Sequence, residues 1–340
     1  MPGVEGQPLA MLALARQMRA AGREDLALDL GGRAKALAPG DGEVRTRAAE
    51  LLSDGVPGWH FVIVQDRLRN QAYDTALRRA VFQGCKVLEI GTGTGLLAMM
   101  AARAGAAQVI TCDSDAAVAA AARDVIAANG YADRVRVVDK HSSDLDVEAD
   151  LGGPVDVLVS EIVSNDLLSE GVLPAHKHAL EALLKPGAAV IPARGRVRIA
   201  LAEDSAWRRG RMGVVEGLDL SAFDRLAKPN REIPVGSPRL RLRSAPFDLF
   251  AFDFAAASWP DRRAEARLDS HGGSVNGVAQ WIALEMDDAI LYENRPGGGA
   301  SSCWAAVFWP FEQPIDTAPG QILTVGARHG QDRIWIWLER

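Results

Sequence analysis

Cys85-Lys86-Val87-Leu88-Glu89-Ile90-Gly91-Thr92-Gly93-Thr94-Gly95-Leu96-Leu97-Ala98-Met99-Met100 is the stretch that decides the fold. Its first six residues are a short apolar run bounded by Gly84 and Gly91, the pattern of a strand buried on both faces of a parallel sheet. Leu96 to Ala104 contains neither Pro nor Gly and stops at Gly105, as a helix does. The glycines therefore occupy a strand-to-helix turn. There a ligand can approach the backbone, and a helix start offers N–H groups.

Outward from this turn, Gln108-Val109-Ile110-Thr111-Cys112 reads as the next strand, and Asp113 stands at its carboxyl end, about twenty residues on, where a carboxylate can accept from both hydroxyls of a ribose. The turn is Glu-Ile-Gly-Thr-Gly-Thr-Gly, with Leu96 where a dinucleotide fingerprint needs a small residue. Glu89 adds a negative charge where a pyrophosphate would have to come close. S-adenosylmethionine, with an ammonium and no phosphate, suits the turn better than a nicotinamide cofactor.

A second strand of this kind, Val155-Asp156-Val157-Leu158-Val159-Ser160, places Glu161 at the carboxyl edge of the sheet, where ligands of open α/β sheets bind. Glu170 follows nine residues later. A guanidinium is planar, stays charged and carries five donors, so two carboxylates can grip it through parallel N–H···O bonds. Two solvated loop carboxylates would be the plain alternative. Ser-Glu-Ile-Val at this place also differs from the Asp/Asn-Pro-Pro-Tyr pattern of base methylation.

With these residues in place, the stretch from Trp59 to about Glu203 resembles the catalytic core of the protein arginine N-methyltransferase family, a class I S-adenosylmethionine-dependent fold. Val87 to Leu97 is similar to its first cofactor motif, and Glu161 to Glu170 to its double-glutamate loop. Trp59-His60-Phe61 with Asp66-Arg67-Leu68-Arg69-Asn70-Gln71-Ala72-Tyr73 resembles the helix that folds over the cofactor. The resemblance implies cofactor contacts at His60, Arg69, Glu89, Gly91, Thr92, Gly93, Gly95, Asp113 and Ser143, with Arg69 on the cofactor carboxylate. It implies catalytic roles for Glu161 and Glu170. On residues alone, Arg69 also reads as a solvated helix-face arginine and His60 as a helix-start histidine. The family's Thr-His-Trp loop corresponds to Ser302-Cys303-Trp304, expected to line the substrate channel; a neutral thiol cannot take up a proton there as imidazole does. At the adenine end, Ser143 stands near where the family often offers an acidic group.

After Arg194 the helix–strand alternation gives way to apolar/polar alternation, as in Arg196-Val197-Arg198-Ile199-Ala200-Leu201 and Arg333-Ile334-Trp335-Ile336-Trp337-Leu338. The expected architecture is α/β: a Rossmann-like methyltransferase domain over 56–192, then an antiparallel β-sandwich or barrel-like domain over 193–340. Val215 to Leu226 has helical apolar spacing and resembles the family's dimerisation arm, which places a helical arm at about 214–236 and implies a homodimer. Residues 1–55 carry three helical patterns, at Leu9 to Ala20, Glu24 to Leu37 and on to Leu52, similar to a tetratricopeptide-type hairpin plus a helix. Ser53 to Gly58 reads as a linker.

The 340 residues carry a formal charge of −6 and three cysteines at unrelated spacing. Disulfide frameworks and zinc sites are not indicated, no metal is expected, and a reducing cytoplasm is the expected setting. There is no signal segment or span-length apolar run, so no membrane partner is expected. The charge disfavours nucleic acid and suits a cationic substrate. The expected reaction is methylation of a guanidino nitrogen of peptidyl arginine or free L-arginine. A non-catalytic scaffold of the same fold, suggested by the missing histidine, is the alternative; methylation of a lysine amine would not need two carboxylates.

Overall fold

The structure, a computed structural model, describes residues 3–208, 211–256, 258–297 and 301–339; residues 1, 2 and 340 of the expected domain spans lie outside these. Three helices come first: α1 (Pro8–Ala20), α2 (Glu24–Leu37) and α3 (Gly42–Ser53). Asp41 caps α3 by accepting from the N–H groups of Glu43 and Val44. Their inward stripes, including Met11, Leu12, Leu30, Val44 and Leu51, form a small core of their own.

Two helices lead into the sheet, α4 (Trp59–Ile63) and α5 (Arg67–Ala80). The parallel sheet that follows contains β1 (Lys86–Ile90), β2 (Gln108–Asp113), β3 (Val135–Asp139), β4 (Val155–Ser160) and β5 (Leu184–Ile191), ordered β3-β2-β1-β4-β5. Between strands lie α6 (Leu96–Ala104), α7 (Ala116–Ala128) and α8 (Val172–His178). The first connections run β1 to β2 to β3 on one side, and the chain then crosses to β4 on the other. The carboxyl ends of β1 and β4 thus flank the crevice where ligands bind in such sheets. Ala-rich α7 starts at Asp115, whose carboxylate accepts from Ala117 and Val118 N–H, and α6 ends at Gly105 with φ 115°.

The remaining strands are β6 (Arg194–Asp204), β7 (Val214–Val215), β8 (Leu218–Asp219), β9 (Arg231–Ile233), β10 (Leu240–Leu242), β11 (Phe247–Asp253), β12 (Arg262–Glu285), β13 (Leu291–Glu293), β14 (Ala306–His329) and β15 (Ile334–Leu338). All but β7 and β8 join one antiparallel eight-stranded sheet with the spine β10-β6-β12-β14-β15. Alternation along β6 explains its place: Val197 and Ile199 are fully buried, while Arg194, Arg196 and Arg198 face out to pair with Glu285, Asp248 and Glu293. One apolar core runs from the parallel sheet into this one, joining Leu158 and Leu167 to Val197, Phe254 and Trp304.

The arm differs from expectation. Val214–Asp219 is a two-stranded hairpin and Ser221–Leu226 a short 3₁₀ turn, not a continuous helix. Glu216 (φ 51°) and Gly217 (φ 78°) are both left-handed, which turns the chain back on itself as a tight hairpin requires. The apolar spacing of 215–226 therefore belongs to exposed side chains on a hairpin and turn.

Candidate functional site

The glycine turn after β1 is built around close approach. Gly91 has φ 88°, and a Cβ there would stand 2.8 Å from Ile162 Cγ2 beyond β4, so only glycine lets the two strand ends meet. Gly95 (φ 77°) is pressed on Ile126 of α7, where a Cβ would lie 2.9 Å from its side chain; it shapes the helix start and does not line the cavity. The free N–H groups expected of this turn are largely spent. Gly91 and Thr92 both donate to Cys112 O at 3.0 Å, and Gly93 donates to Asp113 Oδ2 at 3.0 Å.

A cavity of ≈ 490 Å³ opens above these strand ends. It gathers His60, Arg69, Glu89, Gly91, Thr92, Gly93, Asp113, Ser143, Glu161 and Glu170, which sequence reasoning singled out separately. Gly55 and Pro57 line it too, so the segment read as a linker forms part of the wall, as do Lys140 and His141. Glu89 is 1% exposed, accepts from Thr111 Oγ1 at 2.6 Å and is pushed by burial up to about 8. Asp113 is held by Gly93 N–H on one oxygen and Asp115 N–H on the other, and burial raises its pKa. Each oxygen keeps a second lone pair for a hydroxyl. His60 stacks on Trp59 with centroids 3.9 Å apart, and its Nδ1 meets Pro57 O at 2.9 Å. Exposed Ser143 is engaged with His141 Nδ1 and Asp144.

Arg69 is not a solvated helix-face residue. Its side chain is 4% exposed, donates to Glu161 Oε2 at 2.6 Å and to Asn70 Oδ1 at 2.7 Å, and lies over the Tyr73 ring. Two atoms here are buried without partners: Arg69 Nε and Glu161 Oε1. Such groups are costly to leave unmade. The first is a donor with no acceptor in reach, on a side chain that lines the cavity, and it fits an incoming carboxylate. The second is an acceptor without a donor, and it fits an incoming cation. With Asp113 for a ribose diol, the residues present fit S-adenosylmethionine. Burial pushes Glu161 up to about 7, against the pull of the Arg69 guanidinium. Solvent reaches Glu170 at the rim, yet the surrounding protein, then the Glu161 and Asp166 carboxylates, push it up to about 7 as well.

A second cavity of ≈ 540 Å³ shares Trp59, Ile63 and Glu170 with the first. Cys303 and Trp304 line it; Ser302 stands behind them and does not. Trp304 Nε1 donates to Val163 O at 2.9 Å and Ala305 N–H to Asn165 Oδ1 at 2.7 Å, which ties this loop to the one carrying Glu161 and Glu170. Burial raises the Cys303 thiol well above its ordinary value, so it is neutral.

Sequence reasoning missed the residue that joins these pieces. Asp66 caps α5 by accepting from Arg69 N–H at 3.0 Å, and its other oxygen accepts from Tyr292 OH at 2.6 Å and Cys303 N–H at 3.1 Å. Burial would raise its pKa; these hydrogen bonds outweigh that and hold it below the ordinary carboxylate value. An Asp ahead of a helical stretch is a legible cap signal, but Tyr292 is too distant in sequence to have been paired with it. Beneath Glu161, buried Ser160 and His176 meet at 2.7 Å, with His176 Nδ1 3.2 Å from Phe254 O. Burial lowers His176 to about 4, so the ring is neutral and bridges the two sheets. Among the described residues no group of His, Cys, Asp and Glu could hold a metal ion, and no helix is long and apolar enough to cross a membrane.

A family model described as ribosomal protein L11 methyltransferase (PrmA) matches residues 72–191. Arginine N(omega)-methyltransferase of Streptomyces achromogenes subsp. streptozoticus is 38% identical over 280 residues, covering 82% of this chain and 77% of that protein. Protein arginine N-methyltransferase 7 of Oryza sativa subsp. japonica is 32% identical over 316 residues, and the match takes in 80% of this chain but only 43% of that longer protein. Among solved structures, the Trypanosoma brucei PRMT1 enzyme-prozyme heterotetrameric complex with AdoHcy superposes with TM-score 0.72 at 21% identity, covering 84% of this chain and 98% of that one. Arabidopsis thaliana protein arginine methyltransferase 10 gives TM-score 0.67 at 20% identity, covering 78% and 85%. These two likenesses concern the fold.

Proposed function

The chain belongs to the S-adenosylmethionine-dependent arginine N-methyltransferases, and on that premise we propose that it methylates a terminal guanidino nitrogen of free L-arginine, held between Glu161 and Glu170. The single observation that carries this reading is Glu161 Oε1, an acceptor buried without a donor on a side chain that lines the first cavity together with Glu170, the carboxylate that both cavities share. The free amino acid is favoured over peptidyl arginine by the name of the bacterial relative, an arginine and not a protein arginine enzyme, at 38% identity over most of both chains.

Bound S-adenosylmethionine supplies an electrophilic methyl group. The chain's own residues do the rest. Arg69 presents its unpartnered Nε to the cofactor carboxylate, Asp113 takes the ribose hydroxyls, and His60, Gly93 and Ser143 complete the walls. Arg69 also fixes Glu161 Oε2, which leaves Oε1 to receive one guanidinium N–H while Glu170 receives another from the rim. Two carboxylates against one guanidinium orient a terminal nitrogen toward the first cavity, and positioning of this kind supplies much of the catalysis in a transfer that needs its atoms in line. The substrate's cation also draws both carboxyls toward ionisation, reversing the upward shifts that burial imposes. Once the methylated guanidinium sheds its proton, either carboxylate stands within reach of it, with no contribution from the thiol at Cys303. Trp304 closes the far wall.

A homodimer is part of this proposal. Val214, Leu218, Phe223 and Leu226 are 57–70% exposed on the hairpin and turn, an apolar surface that a second copy would cover. The test of the reaction is incubation with labelled S-adenosylmethionine and an equimolar mixture of L-arginine and an Arg-Gly-Gly-type peptide, followed by mass spectrometry. Label on the guanidino group of L-arginine is expected. Label confined to the peptide would transfer the activity to peptidyl arginine, and label on neither would overturn the guanidino reading.

A further inference from the structure

The second cavity carries a charge pattern that the sequence did not reveal. Asp166, Glu170 and Glu232 line it, with Asn165, Asn230 and Ser164 between them, and among the described residues no Lys, Arg or His lines it. Glu232 comes from β9, which pairs with β14 and sits opposite Val307, also in the lining. Asp166 is partly committed: one oxygen accepts from Ser164 Oγ and from Leu168 and Ser169 N–H. Glu170 and Glu232 have no hydrogen-bonding or ion-pair partner recorded among the described residues. Glu170 also lines the first cavity, where Glu161 is 7% exposed with Oε1 buried and unpartnered.

We propose that this groove is a subsite for a second cationic group, the α-ammonium of a free guanidino amine, and that it does not read the α-carboxylate. The inference rests on the guanidino methylation proposed above. A guanidinium seated between Glu161 and Glu170 leaves its aliphatic stem pointing out past Trp59 and Trp304 into the groove. An ammonium there meets Glu232 and the free oxygen of Asp166. A carboxylate meets three like charges and no cation, only neutral amides and a hydroxyl, and turns to solvent. The substrate class is therefore an unacylated amine linked to a guanidinium, with or without a carboxylate.

The test measures initial rates with four probes, L-arginine, L-argininamide, agmatine and Nα-acetyl-L-arginine, on the intact protein and on Glu232→Gln, a change at an exposed side chain that supports no packing. L-Argininamide and agmatine are expected to show a KM equal to or below that of L-arginine. Acetylation of the amine is expected to raise KM about tenfold, the scale of a partly solvated charge pair. Glu232→Gln is expected to raise KM for L-arginine about fivefold while changing that for Nα-acetyl-L-arginine less than about twofold, since coupled partners are not additive. A tenfold poorer KM for L-argininamide than for L-arginine, or an equal effect of Glu232→Gln on the acetylated probe, overturns the subsite and leaves guanidino methylation standing. No methylation of any probe overturns both.

Discussion

The two cavities are built on different principles. The first sits on the carboxyl ends of four neighbouring parallel strands, and its deepest charged groups, Glu89, Arg69 and Glu161, are nearly or wholly out of water and bonded to one another or to the strands. The second is assembled from four segments far apart in the chain, α4, the loop after β4, the start of β9 and the 303–307 stretch, and its carboxylates stand at a wet rim with few partners. Depth gives the first cavity strong electrostatics and perturbed protonation; openness gives the second weaker, screened selectivity. Glu170 lines both.

The sharpest way to break this contrast is Glu161→Gln. It should lower kcat about 10²- to 10³-fold, the scale for losing a preorganised electrostatic group at a reacting centre, while calorimetric cofactor affinity changes less than about tenfold. Equal loss of both would mean that Glu161 serves the cofactor and not the substrate. Next in size, Arg69→Ala should weaken cofactor binding about 10- to 100-fold, as charge-assisted hydrogen bonds are worth about 1.5–3 kcal/mol. An unchanged affinity would contradict the role given to its unpartnered Nε.

The pH dependence of stability probes depth directly. Glu89 and Glu161 keep their protons when folded at pH values where the unfolded chain has released them, between the ordinary carboxylate value and about 8 and about 7 respectively. The native state binds more protons in that window, so ligand-free stability should fall as pH rises through it, by up to about 1.4 kcal/mol per pH unit for each carboxyl. Glu89→Gln should flatten the slope near pH 7 to 8 in thermal melts. His176 works the other way below pH 6.5: its folded value of about 4 means that stability is lost as pH falls toward it. The smallest effect expected is at the seam between the two regions. Asp66→Asn keeps a helix-capping oxygen but weakens acceptance from Tyr292 and Cys303, and should cost about 1 kcal/mol in stability, with a several-fold fall in kcat/KM.

The same contrast explains what could be read from the chain. The first cavity was legible because each of its parts is local: a glycine turn after an apolar strand, an acid at the next strand end, an acid at the edge of a third. Even there the sequence did not disclose that the turn's N–H groups are spent on Cys112 and Asp113, or that Arg69 turns inward to Glu161. The helical triplet at the start was legible from apolar spacing and Gly/Pro punctuation. The arm was misread because a 3.6-residue pattern over 215–226 coexists with Glu216-Gly217, whose left-handed pair makes a hairpin. The groove was invisible because Asp166, Glu232 and Cys303 meet only through the pairing of β9 with β14 and the hydrogen bonds that dock the 302–305 loop on the double-glutamate loop. Long-range register of this kind is not written in local periodicity.

The central claim is that the two cavities act as one site, with a guanidinium at their junction. Calorimetric titration of L-arginine into protein saturated with S-adenosylhomocysteine, compared between the native chain and Glu161→Gln, tests it most directly. Measurable L-arginine binding to the native protein and its loss in the variant are expected, with both forms taking up S-adenosylhomocysteine. Equal L-arginine affinity in the two would contradict it.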